Sequence, residues 1–420
     1  MTTAAAPPSL PFPPGTFPPG VDPETYKIEE VTRLLKSAAY FPVFSAPNPD
    51  APNEMISAPG KPLVAVRVNE DLHRFEIDVK QPDCQNGVRS SNTVGQVAAN
   101  VSIRWTVMPW EFEAAPDRMP PPTQLNPLVS QRFCMLDGAL HFKDKDKSGF
   151  HAFGAGRTFP VLANWEPRLR IGAVIDVLEG LGKFHGLQGT VVVNGFIQPP
   201  SNLALNIMIR MMDPDNRLLA NSPTQALEPI PDPDPDATFL IFLGEVDPDN
   251  PVKLITDKSG KPIGSEVHEL LRLVHIGWDL DTPADLRSRY ETGPIVGRVS
   301  ARLWFDPLNP APIGPIQTTD GVFTFYGAKG QTIGQIRSNM VEGRAFRTPL
   351  KGAPIPVFRF GGFGPIIDGS GQFSHASGMM SMNSAISVFP RTLSNLYILR
   401  AFNPGGLLNA KICREWASMY

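Results

Sequence analysis

The chain has 420 residues, enough for two or three domains that each bury a core. Only 19% of it is charged, the formal net charge is −3, and no run of Lys and Arg stands out, so nucleic acid is not an expected partner. Pro (46) and Gly (36) fill about a fifth of the chain without a collagen period, which favours many short strands joined by turns over long helices.

In chain order, residues 1–20 form a Pro-rich tail without the charged start and apolar run of a secretory leader. No apolar stretch of about 18 residues occurs anywhere, so no membrane span is expected and a cytoplasmic protein is the default. Residues 21–92 are expected to hold a helix, then strands packing on a first barrel. The helix, over 22–39, follows from Pro23 near its start and from Ile28, Val31, Leu34 and Leu35 at helical spacing. Residues 63–68 and 75–79 read as extended runs. Residues 93–212 form the first of two repeated copies. In it, Val101, Ile103, Trp105 and Val107 share one strand face, and the unbroken apolar run Thr190-Val191-Val192-Val193 predicts a strand covered on both faces. Residues 213–237 are a Pro/Asp-rich linker. Residues 238–292 are expected to be an insert with a strand at 238–246 and helices at 265–276 and 281–290. The second copy spans 293–405, and 406–420 is a terminal segment with a short helix.

The two copies rest on repetition. Val101-Ser102-Ile103-Arg104 is echoed by Val299-Ser300-Ala301-Arg302, and Gly180-Leu181-Gly182-Lys183-Phe184 by Gly369-Ser370-Gly371-Gln372-Phe373. Gly189 and Asn194 match Gly378 and Asn383; Ser201-Asn202-Leu203 matches Ser394-Asn395-Leu396; Arg210 and Arg400 close the two last strands. A period near 200 residues is too long for a solenoid and points to a duplicated domain.

The turn Gly369-Ser370-Gly371-Gln372-Phe373, followed by Ala376-Ser377-Gly378, resembles a late-barrel signature of the allene oxide cyclase and dirigent superfamily. Leu181 departs from it in the first copy, where a small hydroxyl residue is usual. The resemblance implies a mainly β chain of two tandem antiparallel barrels, each with a ligand cavity at one mouth; other calycin-like barrels and sandwiches stay open. It also implies a cofactor-independent cyclase or isomerase acting on a small hydrophobic polyene or phenolic substrate. A non-catalytic carrier of a hydrophobic molecule is the alternative, and a structural protein that self-assembles is the third.

Motifs for cofactors fail on spacing. Gly154-Ala155-Gly156 lacks a third Gly and a β-α-β context and reads as a structural turn; the seven His and three Cys show no metal-ligand spacing. No cofactor and no metal are therefore expected. Glu179 and Asp368, equivalent acids before the Gly turn, are candidate general acids or bases, or simply solvated turn residues. Arg400, on the apolar parity of its strand, and His375 complete the catalytic candidates. Asn194, Asn383, Arg104 and Arg302 recur in pairs and are candidates for holding a ligand oxygen, against ordinary roles at bulges and in surface ion pairs. Met380 and Met382 can mould themselves around an apolar ligand, as they can fill a core. The second copy, nearer the family turn, is the expected working cavity.

Overall fold

The computed structural model describes residues 33–57, 63–76, 93–107, 130–163, 166–198, 202–219, 237–278, 286–304, 313–348, 357–387, 392–402, 416 and 419. The described residues are mainly β, with almost no helix. The first nine strands are β1 (Ala38–Pro47), β2 (Glu54–Ser57), β3 (Leu63–Glu76), β4 (Thr93–Val107), β5 (Arg132–Phe142), β6 (Gly149–Ala163), β7 (Glu166–Leu181), β8 (Gln188–Gln198) and β9 (Asn202–Met212). All neighbours pair antiparallel in the order β1-β9-β8-β7-β6-β5-β4-β3, and β3 pairs back onto β1. That closes an eight-stranded barrel with no free edge, and β2 is a short hairpin arm on β3.

The remaining strands are β10 (Ala237–Val246), β11 (Lys253–Thr256), β12 (Pro262–Trp278), β13 (Ser288–Trp304), β14 (Ile313–Pro315), β15 (Gln317–Tyr326), β16 (Thr332–Ser338), β17 (Glu342–Thr348), β18 (Val357–Gly371), β19 (Ser377–Ser387) and β20 (Thr392–Phe402). They form one sheet whose path β18-β16-β15-β13-β12-β10-β20-β19 also returns, because β18 pairs β19. The order follows the first sheet strand for strand, with β6 answered by the interrupted pair β16 and β17.

Three apolar clusters follow from strand alternation. One fills the first barrel with the inward faces, among them Ile103, Trp105, Ile171, Val191, Val193 and Ile209. A second fills the inside of the second sheet, with Leu271, Phe323, Phe360, Met380 and Leu399. The third lies between the sheets and takes the outward faces of Val174, Val192, Met208, Ile241, Met379 and Ile398. This explains the unbroken Val run of β8: Val191 and Val193 face the barrel, Val192 the other sheet. The Phe after each Gly turn packs inward as expected, Phe184 and Phe373 both being fully buried.

Several expectations are corrected. The helix expected over 265–276 is the long strand β12. Its inner face is Val267, Glu269, Leu271 and Leu273, while its outer face passes from partly exposed Glu266 and His268 to Val274 and Ile276, buried between the sheets. Burial on both faces in the last third created the helix-like spacing. Of the helix expected over 22–39, the described part is helical only over 33–36, and β1 begins at Ala38. Residues 279–285 lie outside the described residues, and Ser288 already opens β13, so the helix expected over 281–290 ends in a strand. The tail, residues 220–236 of the linker and most of 406–420 also fall outside. The segments expected to lie outside the repeats supply strands of both sheets: β1 and β3 of the first barrel come from 21–92, and β10 and β12 of the second sheet from 238–292. Gly154 and Gly156 sit within β6 rather than in a turn; a Cβ on Gly156 would run into the Phe133 ring and the Gly172 carbonyl. Among the described residues no helix is long and apolar enough to cross a membrane.

Candidate functional site

The duplicated polar residues meet between the sheets. Asn194 on β8 donates to the carbonyls of Met379 (3.2 Å) and Ile398 (3.4 Å), and Asn383 on β19 donates to those of Thr190 (2.8 Å) and Met208 (3.4 Å). Arg210 donates to Asn383 O at 3.0 Å, and Arg400 to Asn194 O at 3.2 Å. Each contact has its mirror, as across a two-fold axis. Arg400 also lies 4.9 Å from the ring centres of Phe196 and Phe239, and Arg210 5.4 Å from that of Tyr40. Arg359 adds a pair with Asp176 across the same contact at 2.8 Å. Burial outweighs attraction there, raising the Asp176 carboxyl and lowering the Arg359 guanidinium. Asn194, Asn383 and Arg400 therefore clamp one sheet to the other through backbone carbonyls of the facing half.

Arg104 and Arg302 also have a structural explanation. Arg104 pairs with Asp137 at 3.0 Å and Arg302 with Asp320 at 3.2 Å. Both acids have positive φ (51° and 56°) at matching register shifts, a β-bulge that Asp tolerates well. Asp368 is exposed beside Arg337, and Glu179 is exposed at the matching position. His375 is exposed in the turn at φ 65°, where the first copy has Gly186 at φ 74°. None of these lines the cavity described next.

Met380 and Met382 do line a cavity, of about 30 Å³, inside the second sheet. Its wall draws on β12, β13, β15, β16, β18, β19 and β20, and it is mostly apolar. At one side stand three buried polar residues that the sequence reading missed: Glu269 of β12 and Asn395 and Tyr397 of β20. Glu269 Oε1 accepts from the Tyr397 hydroxyl (2.8 Å) and from Asn395 Nδ2 (2.6 Å), and Asn395 Nδ2 also reaches Tyr397 Oη at 3.1 Å. Glu269 Oε2 and Asn395 Oδ1 have no hydrogen-bond partner among the described residues. Burial raises the Glu269 carboxyl to about 7 against the two hydrogen bonds, and burial beside Glu269 raises the Tyr397 hydroxyl well above its ordinary value. Tyr397 thus stays a donor, and a proton on Glu269 belongs on Oε2. A carboxyl that gains and loses its proton near neutrality suits general acid–base chemistry.

The first barrel holds the counterpart. Glu70 faces Val101 across β3 and β4, as Glu269 faces Val299 across β12 and β13, and burial raises it too to about 7. Its Oε2 accepts a hydrogen bond from Ser45 of β1. Register places Gly244 of β10 where Ser45 stands, and Asn395 and Tyr397 where the first barrel has Leu205 and Ile207, so the match of Ser201-Asn202-Leu203 to Ser394-Asn395-Leu396 expected from sequence does not hold in the strands. A Cβ on Gly244 would strike Glu269 Oε2, so this glycine makes room for the carboxyl. The signal in the sequence was the echo of Val68-Asn69-Glu70-Asp71-Leu72 in Val267-His268-Glu269-Leu270-Leu271.

Among the described residues no group of three His, Cys, Asp or Glu is placed to hold a metal ion. Comparison of the chain with protein families, with curated proteins and with solved structures finds no match in any of the three.

Proposed function

We propose that the second sheet is a second copy of the barrel, that its interior takes a small and largely apolar molecule, and that Glu269 moves a proton on it. On this reading the protein is a cofactor-independent isomerase or cyclase. The observation that carries it is Glu269 itself: a fully buried carboxyl, poised near neutrality, with one oxygen unpartnered at an apolar cavity lined by Met380 and Met382. A carboxylate that takes a proton from one atom of a bound molecule and returns it to another rearranges bonds without redox change. Tyr397 and Asn395 hold the carboxylate in place for both halves of that exchange. The resemblance of the Gly turns to the allene oxide cyclase and dirigent superfamily supports the same reading.

Extraction of the purified protein and mass spectrometry of the extract test it, together with a thermal-shift panel of small hydrophobic compounds. A co-purifying or stabilising compound should exchange hydrogen with deuterated water at a rate lost in Glu269→Gln. If nothing co-purifies and no compound raises Tm, the reading falls. The mostly apolar wall of the cavity also suits one second reading, a binding protein without turnover. It predicts stabilisation by a ligand with no exchange in either protein.

A further inference from the structure

We infer that the molecule held inside the second sheet presents a hydrogen-bond donor, a hydroxyl or an amine N–H on a compact apolar body, to Glu269 Oε2 and Asn395 Oδ1. This rests on the reading above and names the class of ligand for the same cavity.

The first argument is the balance of donors and acceptors. Asn395 spends its Nδ2 on Glu269 Oε1 and Tyr397 Oη, and Tyr397 spends its hydroxyl proton on Glu269 Oε1. Of the other polar residues at the cavity, Ser338 donates to Pro365 O at 2.9 Å and Thr318 Oγ1 accepts from Met340 N–H at 2.7 Å. The polar side-chain atoms left without a partner on the cavity's residues are two oxygens, one on each of two residues at most 3% exposed. With Glu269 ionised, as at pH 8, both are acceptors only and favour a ligand that brings a proton to them.

The second argument is the comparison between copies. In the first barrel, the oxygen equivalent to Glu269 Oε2 receives the Ser45 hydroxyl. In the second, that hydroxyl is gone, because Gly244 stands in its place and the carboxyl lies over the bare glycine. A ligand hydroxyl or amine restores the bond that Ser45 supplies next door. A ligand carboxylate would instead add acceptors and a negative charge beside a buried carboxyl, and is refused.

The test uses the full chain with methionine methyl groups labelled for NMR, and four probes of one size: phenol, aniline, toluene and benzoate, at pH 8. Met380 and Met382 line the cavity, so their methyl signals report entry. Phenol and aniline are expected to shift these signals with a Kd at least tenfold below that of toluene, and benzoate to leave them in place. In Gly244→Ser, which restores the first copy's hydroxyl, phenol should lose its advantage over toluene. Equal binding of phenol and toluene by the unaltered protein, or binding of benzoate, overturns the donor inference and leaves the cavity reading standing. If no probe moves either methyl, the cavity reading itself falls, and this inference with it.

Discussion

Glu269 has a measurable consequence for stability whatever binds beside it. Its carboxyl is raised from the ordinary 4.5 to about 7 by burial. Between those values the unfolded chain ionises the group while the folded chain keeps it protonated, so the unfolded state binds fewer protons and stability falls as pH rises. The full loss, about 3 kcal/mol on the pKa scale, is reached above pH 7 and is absent below 4.5. Glu269→Gln should therefore flatten this share of the pH profile and exceed the unaltered protein in stability at pH 8, with denaturant midpoints at pH 4, 6 and 8 as the check. His375 makes the opposite kind of prediction. It occupies a left-handed conformation that costs a non-glycine residue about 1 kcal/mol, on an exposed turn away from the cavity. His375→Gly should raise Tm by a few degrees and leave ligand binding unchanged; a loss of binding would give His375 the role expected of it from sequence.

Among the elements, β12 and the paired strands β9 and β20 separate what spacing can convey from what it cannot. Read as a helix, the segment 265–276 scattered Glu269 among surface positions; as a strand it puts Glu269 in line with Val267, Leu271 and Leu273, on the inner face. The error hid the carboxyl that lines the cavity inside the second sheet. Strand parity failed for Arg400 for a related reason. Both faces of β20 are buried, Tyr397 and Leu399 inside the sheet and Leu396, Ile398 and Arg400 against the other one, so sharing a face with apolar residues did not mean sharing a cavity. The two kinds of repeated Arg should differ sharply. Arg400→Ala removes a fully buried side chain with its bonds to Asn194 O and Asn206 Oδ1 and should cost about 3 kcal/mol or more. Arg104→Ala breaks a pair with both partners well exposed and should cost less than about 1 kcal/mol. Chemical denaturation of the two variants measures the contrast, and similar losses would remove Arg400 from its clamping role.

At the scale of the whole molecule, the contact between sheets is self-complementary, as in a two-fold dimer whose two halves are joined in one chain. Asn194 and Asn383, Arg210 and Arg400 exchange equivalent bonds around a shared apolar layer. If that layer and its clamps carry the assembly, the covalent link between the halves is dispensable. Co-expressed fragments 1–226 and 227–420 should co-purify as a one-to-one complex, and Arg400→Ala should weaken that complex. Recovery of the fragments as separate species would show that the linker, and not the contact, holds the sheets together.

The sequence alone determined that this chain is mainly β and that its strands recur in two ordered sets, because both follow from local periodicity, turn residues and repetition. It also placed the inward Phe of each Gly turn and the two-sided burial of β8. It did not separate residues repeated to hold the sheets together from residues that face a cavity, since both are polar groups at matching places on apolar strands. Tertiary structure decided that question. It set Asn194, Asn383 and Arg400 between the sheets, where each meets a carbonyl from the other half, and left Glu269 Oε2 unmet over Gly244. The exchange of Ser45 for Gly244 makes the two copies differ at the buried glutamate. It acquires meaning only when β1 and β10 lie beside the strands that carry Glu70 and Glu269, some 25 residues along the chain.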